Sequence, residues 1–232
     1  MIPVFSTPAC EIFGFDFGKS FMYENGFWHT SSPSRIGKSL AHYELYKKVI
    51  NLPGEIVECG VFKGTSLMKF IAFRELLENQ LSRAIVGFDA FGKFPDQVSM
   101  KSDKEFIKEF EAEAGDGISE EELEKILAYK RVSNVFLVKG LIPDTFSVFF
   151  EKYPSTQIAL LHIDVDVYEA TKACLDNLYE RVVRGGVIIF DDYGQIEGAT
   201  KAINEFIKSI GKNSSVIQKL PYNYVPAFMV KE

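Results

Sequence analysis

Gly54-Glu55-Ile56-Val57-Glu58-Cys59-Gly60-Val61-Phe62-Lys63-Gly64-Thr65-Ser66 is the stretch whose reading decides the fold. Residues 55–60 form a short apolar run and 64–78 a helical pattern rich in Leu, Phe and Ile, with two glycines at the turn between them. The same alternation continues outward. Strands are expected at 84–88, 135–138, 158–163 and 187–190, each a continuous apolar run, which means a strand covered on both faces and hence a parallel sheet. The helix after the fourth strand places Ala170, Cys174, Leu178 and Val182 near one face, and the next keeps Ala202, Phe206 and Ile210 together. Residues 214–220 and 227–231 read as two strands around Pro221-Tyr222-Asn223-Tyr224, a hairpin closing one edge of a mostly parallel α/β sheet.

The 232 residues favour one substantial domain, 34–232, over two small ones. With 26 Lys and Arg against 32 Asp and Glu, the net charge of −6 argues against a general affinity for nucleic acid or an anionic membrane. No apolar stretch is long enough to span a bilayer. The start, Met1-Ile2-Pro3-Val4-Phe5, lacks the pattern of a signal peptide, so a cytoplasmic address is expected. Cys10, Cys59 and Cys174 are too scattered for a disulfide framework or metal cluster and read as small hydrophobes. Residues 1–33 are dense in aromatics, from Phe5 to Trp28, and should pack as a lid or as a subunit contact in a homo-oligomer. Residues 93–131 form a charged insertion with capping-box spacing at Ser102/Glu105 and Ser119/Glu122, so two amphipathic helices are expected there. They serve either as surface elaboration or as a mobile cover.

The turn 58–66 offers helix-start amides and the Thr65 and Ser66 hydroxyls to an anionic group. A dinucleotide fingerprint would place a glycine where Glu58 stands; a carboxylate there repels a pyrophosphate and suits an ammonium group. Asp89, ending the second strand, is placed to accept hydrogen bonds from ribose hydroxyls. A ligand with an amino-acid end, a ribose and an adenine fits this set better than NAD: S-adenosylmethionine. Two acidic groups, Asp164/Asp166 and Asp191/Asp192, follow the fourth and fifth strands and so face the crevice beyond the strand ends. Clustered carboxylates repel unless protonated or bridged by a cation, and oxygen donors without converging His or Cys specify a hard divalent ion, Mg²⁺ before Ca²⁺ or Mn²⁺. Read individually, each Asp is also an ordinary helix cap or turn residue. His162 reads as a satisfied core residue, while His29 and His42 are left as candidates for a substrate pocket.

Together these segments, with Gly87-Phe88-Asp89-Ala90-Phe91, residues 163–171 and residues 185–193, resemble the macrocin O-methyltransferase family over roughly residues 30–232. The resemblance implies a Rossmann-like class I methyltransferase with a seven-stranded sheet, using S-adenosylmethionine and Mg²⁺ to methylate sugar hydroxyls. It further implies Asp164, Asp191 and Asp192 as metal ligands and Asp166 as general base. Glu58, Gly60 and Ser66 would meet the methionyl end and Asp89 the ribose, with Val61, Gly64, Thr65, Phe91 and Asp164 completing the cofactor contacts. An unassisted Asp, with a pKa near ~3.9, is a feeble base toward a sugar hydroxyl, so the expected acceptor is a vicinal diol held by the cation. The alternatives are a catechol or phenolic O-methyltransferase of the same fold, and a binding protein that has lost catalysis.

Overall fold

The computed structural model describes residues 10–95, 98–222 and 226–232. A two-residue antiparallel pair, β1 (Glu11–Ile12) and β2 (Phe15–Asp16), precedes helices α1 (Ser20–Thr30) and α2 (Pro33–Lys47). The alternating core follows as β3 (Glu55–Cys59), α3 (Thr65–Leu77), β4 (Ile85–Asp89), α4 (Lys101–Ala114), α5 (Glu120–Tyr129) and β5 (Val135–Lys139). It continues with α6 (Ile142–Lys152), β6 (Ile158–Ile163), α7 (Tyr168–Leu178), β7 (Val182–Phe190) and α8 (Glu197–Ser209), and ends with β8 (Gln218–Lys219) and β9 (Ala227–Val230).

Seven strands form one sheet in the order β5-β4-β3-β6-β7-β9-β8; the first five are parallel, and β9 runs antiparallel to both β7 and β8. Strand periodicity sorts the core into two layers. Val57 and Cys59 of β3 pack with residues of α6, α7 and α8, including Phe146, Leu175 and Ile203. Ile56, one residue out of phase, packs with Leu45 of α2 and Phe70 of α3. Both faces are covered, as the unbroken apolar runs require. No helix among the described residues is long and apolar enough to cross a membrane.

Three local expectations change. Val182 opens β7 rather than closing α7, because a 3-10 turn at 179–181 ends the helix. The stretch 214–220 is mostly a 3-10 turn, with pairing limited to Gln218 and Lys219, and Asn223 and Tyr224 of the expected hairpin lie outside the described residues. The insertion does carry two helices, and Ser119 with Glu122 closes a capping box on α5. Ser102, however, lies inside α4, whose cap position is Met100, so its spacing with Glu105 makes no box. Helix α6, for which no expectation was set, begins at Ile142-Pro143, proline being well suited to the first turn where its missing N–H costs nothing.

Of the aromatic N-terminal segment, residues 1–9 lie outside the described part. Helix α1 buries no residue; Trp28 is 60% and Phe21 55% exposed.

Candidate active site

The parallel register brings the C-terminal ends of β3, β4, β6 and β7 together, Cys59 lying beside both Phe88 and Ile163, and Ile163 beside Phe190. A cavity of about 1280 Å³ opens over these ends, roofed in part by residues 93–95 and 98–114. Gly60, at φ +88°, forms its floor: a Cβ there would lie 1.7 Å from the Asp164 carbonyl oxygen, so only glycine lets the two loops touch. Asp89 holds the glycine turn in place, accepting hydrogen bonds on Oδ2 from the Val61 and Phe62 amides (2.7 and 3.0 Å) and on Oδ1 from the Phe91 amide (2.6 Å). A carboxylate has about four acceptor sites, so Asp89, which lines the cavity, keeps capacity for ligand hydroxyls.

Gly60, Val61, Thr65 and Ser66 line the cavity. Gly64 and Phe91 do not. Gly64 takes the left-handed position that launches α3 (φ +76°), and the Phe91 ring is buried in the layer beneath. Glu58 departs furthest from its expected place at the cofactor's ammonium group. It is fully buried under the floor, and its Oε1 lies 2.9 Å from His162 Nδ1. Register explains this: Glu58 and His162 are direct neighbours on β3 and β6, and both point into the α2/α3 layer, where His162 meets Phe70 and His42 edge-on.

The acids at the tips divide into two groups. Asp164, Asp166 and Asp192 each present an oxygen within 4.8 Å of the others. Asp166 adopts φ +61°, and its amide donates to Asp192 Oδ2 (3.0 Å), so the β6 and β7 loops are tied at this point. Asp191, expected as a third metal ligand, lines the cavity with them but is engaged by α2 and β6. Its Oδ2 accepts from Lys38 Nζ at 2.6 Å and its Oδ1 lies 3.3 Å from His162 Nε2. Asp166, expected as the base, takes the third place in the carboxylate cluster.

A buried chain results: Glu58, His162, Asp191, Lys38. Burial opposes the charge on His162, but hydrogen bonds to Asp191 and Glu58 prevail and raise its pKa to about 9. Burial would raise Asp191, yet His162 and Lys38 hold it well below the usual carboxylate range. Asp164 and Asp166 are offset only in part, Lys38 Nζ lying 3.6 Å and His162 Nε2 3.9 Å from Asp164 Oδ2. Burial, then repulsion from Asp191, lifts Asp164 to about 6; burial, then Asp164 and Asp191, lifts Asp166 to about 8; and burial with Asp166 beside it pushes Asp192 well up. The cluster therefore carries more negative charge than its neighbours neutralise. Three converging carboxylates with that deficit fit a hard divalent cation such as Mg²⁺. A second cluster, His42, His162 and Asp191, also converges. It fits a cation poorly, because Glu58 and Asp191 engage the His162 nitrogens and the Lys38 ammonium already sits on Asp191.

Lys38 carried no signal in the sequence, being one lysine on an amphipathic helix with a partner 153 residues away. Of the other histidines, His29 is exposed and His42 is fully buried, and neither lines the cavity; both ring nitrogens of His42 lack a hydrogen-bond partner. Cys59 and Cys174 are buried free thiols, and Cys10 is free and half-buried.

A family model described as Macrocin-O-methyltransferase (TylF) matches residues 38–219. The 8-demethyl-8-(2,3-dimethoxy-alpha-L-rhamnosyl)-tetracenomycin-C 4'-O-methyltransferase of Streptomyces olivaceus is 27% identical over 159 residues, 67% of this chain and 58% of that protein. Demethyldecarbamoylnovobiocin O-methyltransferase of Streptomyces niveus is 28% identical over 160 residues, 67% of this chain and 59% of that protein. The chain thus spans less than three fifths of the length of these two curated relatives. The apo structure of CalS11, described as a TDP-rhamnose 3'-O-methyltransferase of calicheamicin biosynthesis, superposes with a TM-score of 0.64 at 26% identity, covering 91% of this chain and 86% of that one. With that family model matching residues 38–219, most of its length, the chain belongs to the macrocin O-methyltransferase family.

Proposed function

We propose that this protein is an S-adenosylmethionine-dependent O-methyltransferase that uses a divalent cation, Mg²⁺ by preference, to methylate a sugar hydroxyl flanked by a second hydroxyl. The observation that carries the reading is the convergence of Asp164, Asp166 and Asp192 at one point of a cavity whose floor is the Gly60 turn. Family membership supports it, as do relatives whose names describe methylation on rhamnosyl, novobiocin and TDP-rhamnose compounds.

Gly60, Val61, Thr65, Ser66 and Asp89 are the residues proposed to hold the cofactor, and Asp164, Asp166 and Asp192 the cation, with Asp164 also adjoining the cofactor through the Gly60 contact. When bound, the cofactor supplies an electrophilic methyl group and the cation supplies Lewis acidity. The chain's own part is positioning and proton transfer. Asp166 projects from a left-handed backbone position tied to Asp192, which restricts where its carboxylate can point. It is the group proposed to take the hydroxyl proton on a carboxylate oxygen. Asp191, clamped by Lys38 and His162, keeps the β7 tip in register with β6, and the insertion covers the cavity and restricts water. Glu58 acts one layer down, by orienting His162.

The test is direct. Incubation with S-adenosylmethionine, Mg²⁺ and a panel of rhamnosides and deoxysugar nucleotides should yield a mono-methylated product by mass spectrometry, and chelation with EDTA should abolish it. Methylation of catechols in preference to every sugar would overturn the acceptor class. Failure of S-adenosylhomocysteine to raise the melting temperature would overturn the cofactor.

A further inference from the structure

Five cationic side chains line the cavity of a chain whose net charge is −6: Arg35, Lys38, Lys63, Lys69 and Lys93. Two have evident occupations. Lys38 bonds Asp191 and lies 3.6 Å from Asp164, and Lys63 donates to the Ala114 carbonyl. Lys93 stands exposed on the insertion. Arg35 and Lys69 are different. They sit on α2 and α3, on the same side of the cavity as Lys38, and neither side chain has an ion pair or hydrogen bond among the described residues. Lys69 is half-buried and Arg35 exposed; burial, then Lys38 and Arg35, disfavour the Lys69 charge, while Asp191 and Glu58, neither within ion-pair distance, favour it less than the others oppose it. A half-buried lysine whose charge is disfavoured on balance, with no carboxylate paired to it, is stabilised when a ligand supplies an anion.

The arrangement also has an order. Lys38, at the acid cluster, marks where the reacting sugar must lie. Arg35 stands about one helical turn before it on α2. Ser31 and the exposed ring of Phe27 line the cavity further back along the chain. The same cavity thus carries the sugar position marked by Lys38, two cations with no direct ion pair, and an exposed aromatic ring.

We propose that Arg35 and Lys69 bind the diphosphate of a nucleotide-linked sugar, so that the acceptor is methylated while still attached to its nucleoside diphosphate rather than as a neutral glycoside. The inference rests on the methyltransferase reading above and narrows its acceptor. Two free positive charges match a diphosphate, which carries about two negative charges and suits Arg's forked donors. The other oxyanion within reach, the cofactor's carboxylate, comes with an ammonium group that the same cations would repel. The Phe27 ring is placed to stack on the base, a contact indifferent to base identity.

The experiment measures binding to the intact protein by isothermal titration calorimetry, with S-adenosylhomocysteine and Mg²⁺ present. The probes are UDP, dTDP and GDP, with uridine, thymidine and guanosine as uncharged controls. At least one diphosphate should bind at least tenfold more tightly than its nucleoside. The Arg35→Gln/Lys69→Gln double variant should lose at least tenfold of that affinity while its affinity for S-adenosylhomocysteine stays within about twofold. If S-adenosylhomocysteine binds and no diphosphate does, the proposal fails and the methyltransferase reading stands. If the double variant loses S-adenosylhomocysteine instead, the cations serve the cofactor and the proposal is again wrong. If S-adenosylhomocysteine does not bind the unmodified protein, the underlying reading falls and takes this one with it.

Discussion

Replacing Gly60 with alanine tests the contact on which the whole site is built. Two separate costs arise. Alanine at φ +88° incurs the left-handed penalty of an L-residue, about 1–2 kcal/mol. Its Cβ would also lie 1.7 Å from the Asp164 carbonyl oxygen and 2.6 Å from the carbonyl carbon, so the β6 loop must retreat by more than an ångström. That retreat breaks the 2.9 Å bond from the Asp164 amide to the Cys59 carbonyl, worth about 0.5–1.5 kcal/mol, and forces an overpacking adjustment of about 1–3 kcal/mol. The expected loss is therefore roughly 3–6 kcal/mol in denaturant unfolding. Two internal controls separate the costs. Gly194, at φ +78° with nothing within 4 Å of its Cβ position, should lose only the dihedral share, about 1–2 kcal/mol, as Gly194→Ala. Gly92, without positive φ and likewise open, should change by less than ~0.5 kcal/mol as Gly92→Ala. If Gly60→Ala destabilises no more than Gly194→Ala, the loops are not in contact and the site as described is wrong.

Asp166→Asn should lower turnover by about 10²–10⁴-fold with S-adenosylhomocysteine binding retained in calorimetry; near-normal turnover at saturating Mg²⁺ would remove Asp166 as the base. In the absence of metal, stability should fall as pH rises from 6 to 9. His162, raised to about 9 from 6.5, stabilises the fold below its ordinary value and loses that contribution as pH passes through 9; Asp166, raised to about 8, loses its own in the same direction, whereas Asp164, raised to about 6, has lost most of its contribution by pH 6. Asp191, held low, contributes above the ordinary carboxylate value and weakens the fold only in acid. Scanning calorimetry should show Mg²⁺ restoring more stability at pH 9 than at pH 6, since protons and cation compete for the same oxygens; an equal increment at both values would contradict the cluster. Finally, Gly198→Ala should destabilise the protein by roughly 1–3 kcal/mol, because a Cβ there falls 2.1 Å from Asp103 Oδ2. With Asp103→Ala in place, the same change should become stabilising by up to ~1 kcal/mol, the ordinary helix preference for alanine. A double-mutant cycle that shows no coupling would refute the contact.

The sheet was legible because its strands are continuous apolar runs, and their two-sided burial follows from that alone. What escaped were features set by partners distant in sequence. Helix α7 ends at Leu178 although its apolar spacing runs on to Val182, because Val182 pairs with Ile158 in the sheet. Ser102 and Glu105 have the spacing of a cap, but α4 already starts at Lys101, before Ser102 can cap it. The site was legible as a set of residue types at strand tips, since parallel topology sends all those tips to one edge. Which carboxylate faces which partner was not. Glu58 and Asp191 were read as ligand-facing because nothing local distinguishes them from Asp89 and Asp192. Only the register that places Glu58 beside His162 turns it inward, and only the helix that carries Lys38 gives Asp191, which still lines the cavity, a partner within the protein.

That inward chain changes how the acids should be understood. Five carboxylates, Glu58, Asp164, Asp166, Asp191 and Asp192, crowd the ends of β3, β6 and β7, and a cation shared by all would be needed if all faced the cavity. Lys38 and the His162 imidazolium neutralise Glu58 and Asp191 within the protein, which leaves three for an external charge. The roof is tied to the same loops. The buried Asp103 of α4 accepts from the Tyr168 amide, at the first turn of α7, and abuts Gly198 at the first turn of α8, while Glu169 accepts from the Ser99 amide and hydroxyl. Helices α7 and α8 are the ones that follow the two acidic loops. Lifting the insertion would therefore break contacts to the helix turns that directly follow the loops carrying Asp166 and Asp192.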